Sequence, residues 1–189
     1  MAIEEPAYKT ILKRGAFELR HYEQMLIAEV SVSGDLKEAS SAGFRMLADY
    51  IFGNNITKDG SPEKIAMTAP VMVKPEGNES YVSSHRLIKT EPGQWLVQFT
   101  MPSHFSINTI PKPHNSEVMV KVREARKVAV LVFSGLASEK SIKSKLYELE
   151  QWLQSNHIKH RSDTVELARY NPPWTLPFLR RNELIIEVD

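Results

Sequence analysis

His21 is the residue whose type and position most suggest chemistry. It follows Phe17 and Leu19 at every second position, so the period of an extended strand puts the three side chains on one face. An imidazole on an apolar face favours the neutral form, which binds a metal or a haem iron. The alternative is a strand-edge histidine at the rim. His157 and His160, three apart, share a helix face, but Lys159 and Arg161 beside them disfavour a bound cation, and a histidine near a helix C-terminus interacts well with its dipole. The chain has no cysteine, which removes thiolate metal sites, cysteine nucleophiles and disulfides. Any iron would have to be held by an imidazole or a thioether.

Met46, Met67, Met72 and Met101 fall on elements expected to face inward, where a polarizable thioether suits an apolar pocket but equally fills a core. Glu18, Glu29 and Glu166 alternate out of the expected core and read as solvated charges, and Glu183 reads the same way. No Gly-rich phosphate loop, G-x-S-x-G elbow or H-E-x-x-H pair is present. With no nucleophile and base in view, the reading is of a protein that is not an enzyme. Tyr170 to Glu183 is the other unusual stretch: Pro172, Pro173 and Pro177 stiffen it while Trp174, Leu176 and Phe178 present apolar surface. It reads either as the wall of a ligand pocket, with Arg180 and Arg181 available for carboxylates, or as a lid over one end of the core.

The elements that position these residues follow from periodicity. Phe17 to Tyr22 and Leu26 to Val32 read as strands, and Asp35 as the N-cap of a helix from Leu36 to Phe52. Along that helix Lys37, Ser41, Arg45 and Asp49 form one wet line. Lys64 to Val73 reads as a strand interrupted by Pro70, Trp95 to Met101 as another, and Lys74 to Gly93 as a long hairpin connection with some strand at Tyr81 to Ile88. A shift of 101 positions lays Val30–Gly34 over Leu131–Gly135, His21 over Val122 and Lys64–Pro70 over Val165–Asn171. A second helix, Ser138 to Gln154, carries Ile142, Leu146, Leu149 and Leu153 on one stripe, and a last strand runs from Asn182 to Val188. The expected fold is α+β: two β-β-α-β-β units, about 8–102 and 116–189, packed as one pseudo-twofold domain over 1–189. Its antiparallel sheet is curved or a distorted barrel, flanked by two main helices.

Composition narrows the partners. The 24 Lys and Arg against 23 Asp and Glu leave a net charge of +1, without the basic excess of a nucleic-acid surface. No stretch reaches the ~20 apolar residues of a membrane span. Met1 to Tyr8 lacks the apolar run of a secretory segment, so the expected compartment is the cytoplasm.

Four ordered segments carry a resemblance: Gly15-Ala-Phe-Glu-Leu-Arg-His-Tyr-Glu23, Gly43-Phe-Arg-Met-Leu-Ala-Asp-Tyr-Ile-Phe-Gly-Asn-Asn55, Lys64-Ile-Ala-Met-Thr-Ala-Pro-Val71, and Tyr170-Asn-Pro-Pro-Trp174 through Arg180-Arg-Asn-Glu183. Together they resemble the SOUL family of haem-binding proteins from about Glu5 to Val188. The resemblance implies a distorted β-barrel with two helices and reversible binding of haem or another tetrapyrrole, as a carrier or buffer. It implies a pocket at Phe44, Ala48, Tyr170, Pro173 and Leu176, and His21 as the axial ligand proposed for some members, while others are thought to hold the ring by apolar contacts. The family's basic helix residue for a propionate corresponds to Ser41, with Arg45 one turn on as a substitute. Two other classes stay open. The duplicated unit also looks like the effector-binding domains of bacterial regulators and gyrase-inhibitor-like proteins, which would need an inward acid on a core strand. The Pro-rich loop and first helix would alternatively serve a protein partner, whose identity the residues do not specify.

Overall fold

The computed structural model describes residues 3–77, 93–161 and 165–189. Strands β1 (Tyr8–Arg14) and β2 (Phe17–Tyr22) form a hairpin whose turn uses Gly15 at φ 61°, a conformation that suits a residue without Cβ. Two residues lead from β2 into β3 (Met25–Gly34). Asp35 then caps helix α1 (Leu36–Ile51): its carboxylate accepts from the Glu38 amide at 2.8 Å, and the Glu38 side chain accepts from the Asp35 amide. Lys37, Ser41, Arg45 and Asp49 stand exposed along α1, while Ala39, Leu47 and Ile51 are buried.

After α1 come the short β4 (Asn55–Ile56), then β5 (Val71–Pro75), β6 (Gly93–Thr100), β7 (Lys112–Pro113), β8 (Met119–Arg123) and β9 (Arg126–Phe133). Helix α2 (Glu139–Ser155), β10 (Glu166–Arg169) and β11 (Asn182–Glu187) complete the described chain. Two expectations change here. Strand β5 begins after Pro70 instead of running through it, because proline cannot donate to a ladder and Lys64–Ala69 makes only an isolated bridge at Thr68. The strand expected at Tyr81 to Ile88, and His85 with it, lie outside the described residues.

Among the described residues nine strands form one sheet in the order β1-β2-β9-β11-β10-β5-β6-β3-β8, every pair antiparallel. Leaving out β1, the order reads the same from either end when β2, β3, β5 and β6 are exchanged for β8, β9, β10 and β11. The shift of 101 positions matches β2 to β8, β3 to β9 and α1 to α2, but not the later strands, because α2 reaches β10 by a shorter link than α1 reaches β5.

Both helices lie on one face, α1 against β3 and β6, α2 against β9 and β11. Leu47, Val97, Leu131, Leu149, Leu167 and Leu184 are among the residues of the core between them. The other face is concave. On a flat sheet β8 and β10, four places apart, would be roughly 19 Å from each other, yet Arg123 of β8 donates to the Glu166 carboxylate of β10. The sheet therefore curls around that face without closing, since among the described residues β1 and β8 are edges paired on one side only. The distorted barrel is an open, curved sheet.

Candidate functional site

Helix α1 packs tightly on the sheet at Gly43, where a Cβ would stand 2.5 Å from Val97 Cγ2. This brings the next residue, Phe44, edge-on to Phe99 of β6 at 5.5 Å while leaving it 36% exposed. Ala48, one turn on, is buried, and Arg45 stands on the exposed line. The Ser41 hydroxyl donates to the Lys37 carbonyl at 2.9 Å.

The Pro-rich loop is tied down at its neck and inside. The Tyr170 amide donates to the Arg181 carbonyl at 3.1 Å and the Arg181 amide to Asn171 Oδ1 at 2.7 Å. The Arg180 guanidinium donates back to the Thr175 carbonyl at 2.8 Å and to that of Pro173. The Gly135 amide donates to the Pro177 carbonyl at 2.9 Å, fastening the loop to the turn before α2. Held this way, Trp174 is 84% and Phe178 70% exposed, with Leu176, Leu179 and Leu136 also turned outward. A rigid exposed apolar surface of this kind marks a contact site.

The predicted site residues do not all gather. Phe44 and Ala48 share α1, and Pro173 and Leu176 share the loop. Tyr170 turns to the concave face, where its hydroxyl donates to Glu183 at 2.8 Å and Arg181 lies 3.7 Å over its ring. His21 lies elsewhere. Its strand β2 is five places from β6 in the sheet, and its cross-strand neighbours are Lys9 and Lys127. Phe17 and Leu19 do pack on the core, Phe17 stacking on Trp152 at 5.2 Å, but His21 is half-exposed between two lysine positions and not in apolar surroundings.

The carboxylates expected in solvent are buried on the concave face, because the curl covers the second side of the strands. Arg20 joins Glu18 (2.7 Å) to Glu183 (2.9 and 3.0 Å), with Arg181 also on Glu183 at 2.7 Å. Glu166 accepts from Arg126 at 2.8 and 3.2 Å and from Arg123, and Glu29 accepts from Lys121 at 2.6 Å and from Gln98. Burial pushes the Glu166 carboxyl up, but the Arg123 and Arg126 guanidiniums outweigh it and hold it well below the usual carboxylate range. The inward acids that an effector-binding site would need are thus present, and each is already neutralised.

A cleft of about 590 Å³ opens at the strand ends, between the amino-terminal segment 4–7 and the 100–107 crossing. Met25, Leu26, Met101, Phe105 and Val122 line it, with Glu4 and Glu23 beside them. Met101 was expected to face inward; that it borders a cleft depends on how distant segments meet and leaves no local pattern.

This geometry defines an antiparallel, duplicated α+β domain carrying a rigid apolar loop beside a helix. Solved structures share the fold: the C-terminal domain of EcmrR (TM-score 0.65, 11% identity, covering 96% of this chain and 98% of that one) and a hydrolase from Listeria innocua (0.59, 12%, covering 95% and 94%). Over residues 3–187 the sequence matches the family described as SOUL heme-binding protein, and the chain belongs to that family. It is 28% identical to "Heme-binding protein 2" of Homo sapiens over 96% of this chain and 83% of that protein, and 27% identical to "Heme-binding protein 2" of Mus musculus over 97% and 85%.

Proposed function

We propose that the protein binds haem or another tetrapyrrole reversibly and without catalysis, as a carrier or buffer, with the ring against Phe44 and Ala48 of α1 and Pro173 and Leu176 of the loop. The observation that carries this reading is the rigid, outward-facing apolar loop in a chain of the SOUL family. A planar apolar ring gains most from a surface that needs no ordering on binding. The relatives named as heme-binding proteins support the ligand class. Binding without chemistry is supported by Glu18, Glu29, Glu166 and Glu183, each engaged by arginine or lysine and not facing a nucleophile.

Because His21 stands between Lys9 and Lys127 on a strand away from α1, this reading holds the ring by apolar contact. Titration of the purified protein with hemin, followed at the Soret band, is expected to saturate. His21→Ala should leave band and affinity unchanged, whereas Phe44→Glu and Leu176→Glu should each weaken binding at least about tenfold, since burial of a carboxylate against the ring costs more than 1.4 kcal/mol. No saturable binding would remove the function. A loss on Ile107→Glu instead would move the ring to the strand-end cleft that Ile107 lines.

A further inference from the structure

Arg169 ends β10 on the helix-bearing face of the sheet, two residues after Leu167 of the core. Its side chain turns towards α1, where Nη2 donates to the Ser40 hydroxyl at 3.4 Å, an oxygen whose own proton goes to the Leu36 carbonyl. Its Nε is buried with no partner. Among the described residues the guanidiniums of Arg20, Arg123, Arg126 and Arg181 each hold a carboxylate; that of Arg169 holds none. A neighbouring charge makes matters worse. Arg180 bears on Arg169 with the same sign, and its own guanidinium is bound by the carbonyls of Thr175 and Pro173, not by an acid.

A half-buried cation without an opposite charge is costly, and nothing in the described chain offsets it. Both guanidiniums are also placed: Arg169 by the strand end and Ser40, Arg180 by its two carbonyls. Ser40 and Phe44 are one turn apart on α1, so the two lie on one line of the helix. The uncompensated charge therefore borders the apolar surface described above, where the edge of a bound ring would come.

We infer that Arg169, with Arg180 beside it, is the receptor for a carboxylate carried by the ligand, so that the protein selects acidic rings over neutral ones of the same shape. A planar guanidinium donates two parallel hydrogen bonds to a carboxylate, and that of Arg169 has no acid to receive them and an Nε without a partner. Arg45, the substitute that the family resemblance offers for a propionate, stands on the exposed line of α1. The inference rests on the tetrapyrrole reading of this surface.

The test compares protoporphyrin IX with its dimethyl ester, the same ring with both carboxylates masked, in fluorescence titrations of the full chain at equal co-solvent. The unaltered protein is expected to bind the diacid at least about tenfold tighter than the ester. Arg169→Met should weaken the diacid to within about twofold of the ester and leave the ester's affinity unchanged. Equal affinity of the unaltered protein for diacid and ester would overturn the receptor role, and so would an equal loss of both ligands in the variant, which marks packing alone. If Arg169→Met does not fold, Arg180→Met provides the same comparison, with a selective loss of the diacid expected. Saturable binding of neither ring would instead overturn the tetrapyrrole reading, and the receptor with it.

Discussion

Replacement of Glu166 by Gln is expected to destabilise the protein by about 3–5 kcal/mol, the usual cost of breaking a buried ion pair from one side. The residue is 1% exposed, and its carboxylate is the common acceptor of Arg126 from β9 and Arg123 from β8, with Lys74 of β5 at 4.0 Å. The amide would leave those guanidiniums buried without their counter-charge. It would also weaken the link from edge strand β8 to β10, a contact made across the curl of the sheet. The pH dependence has a definite sign. The folded carboxyl is held below its unfolded value of about 4.3, so between the two only the unfolded chain takes up a proton. The stabilisation is therefore present above that value and is lost as pH falls through and below it. Glu18 is shifted the same way: burial raises it, and Lys13 and Arg20 more than offset that. Urea unfolding followed by tryptophan fluorescence between pH 3 and 7 should show a level region above about pH 5 and an acid limb below it. In Glu166→Gln the limb should be shallower and the midpoint at pH 7 much lower. An unchanged midpoint at pH 7 would mean that the network does not hold the sheet.

The second large effect is at Gly43. Exchanging glycine for alanine inside a helix ordinarily stabilises by up to about 1 kcal/mol. Here the opposite is expected, a loss of about 1–3 kcal/mol, because the added methyl overlaps the Val97 side chain and must push α1 off β6. The displacement carries Phe44 and Ala48 with it, so hemin affinity should fall together with stability. Val97→Ala removes the two Cγ methyls but keeps the Cβ, 2.6 Å from the added methyl, so the double variant should recover part of the loss and be more stable than the two single losses add up to. A stabilised Gly43→Ala variant would show that the helix has room to spare.

Both helices could be read directly, since each carries an apolar stripe and a capping residue, Asp35 or Ser138, within its own stretch of chain. The strands flanking α1 and the stiff loop after β10 were readable for the same local reason. Edge strand β1 was not: most of Tyr8–Arg14 is exposed, so no alternation marks it. The acids failed for a different cause. Alternation separates the two faces of a strand, but it takes a second covering layer to bury both, and that layer is made here by the sheet's own curvature. Hence Glu18, Glu29, Glu166 and Glu183 looked solvated. His21 shows a related limit. Phe17 and Leu19 identify its face, but Lys9 and Lys127 became its neighbours through register with two other strands. Arg169 leaves no local signal, because what distinguishes it is the lack of a partner in space.

The strand order that reads alike from both ends also means that the two halves of the chain clasp each other. The first half lends β2 to β9 of the second, and the second lends β8 to β3 of the first, while β5 and β10 meet at the middle. Neither half can depart without stripping strands from the other and exposing their hydrogen-bonding edges. Expressed as separate pieces, each would present open edges that invite pairing with a foreign chain. The halves are bound to fold and unfold in one cooperative event, and a lesion in either is felt by both.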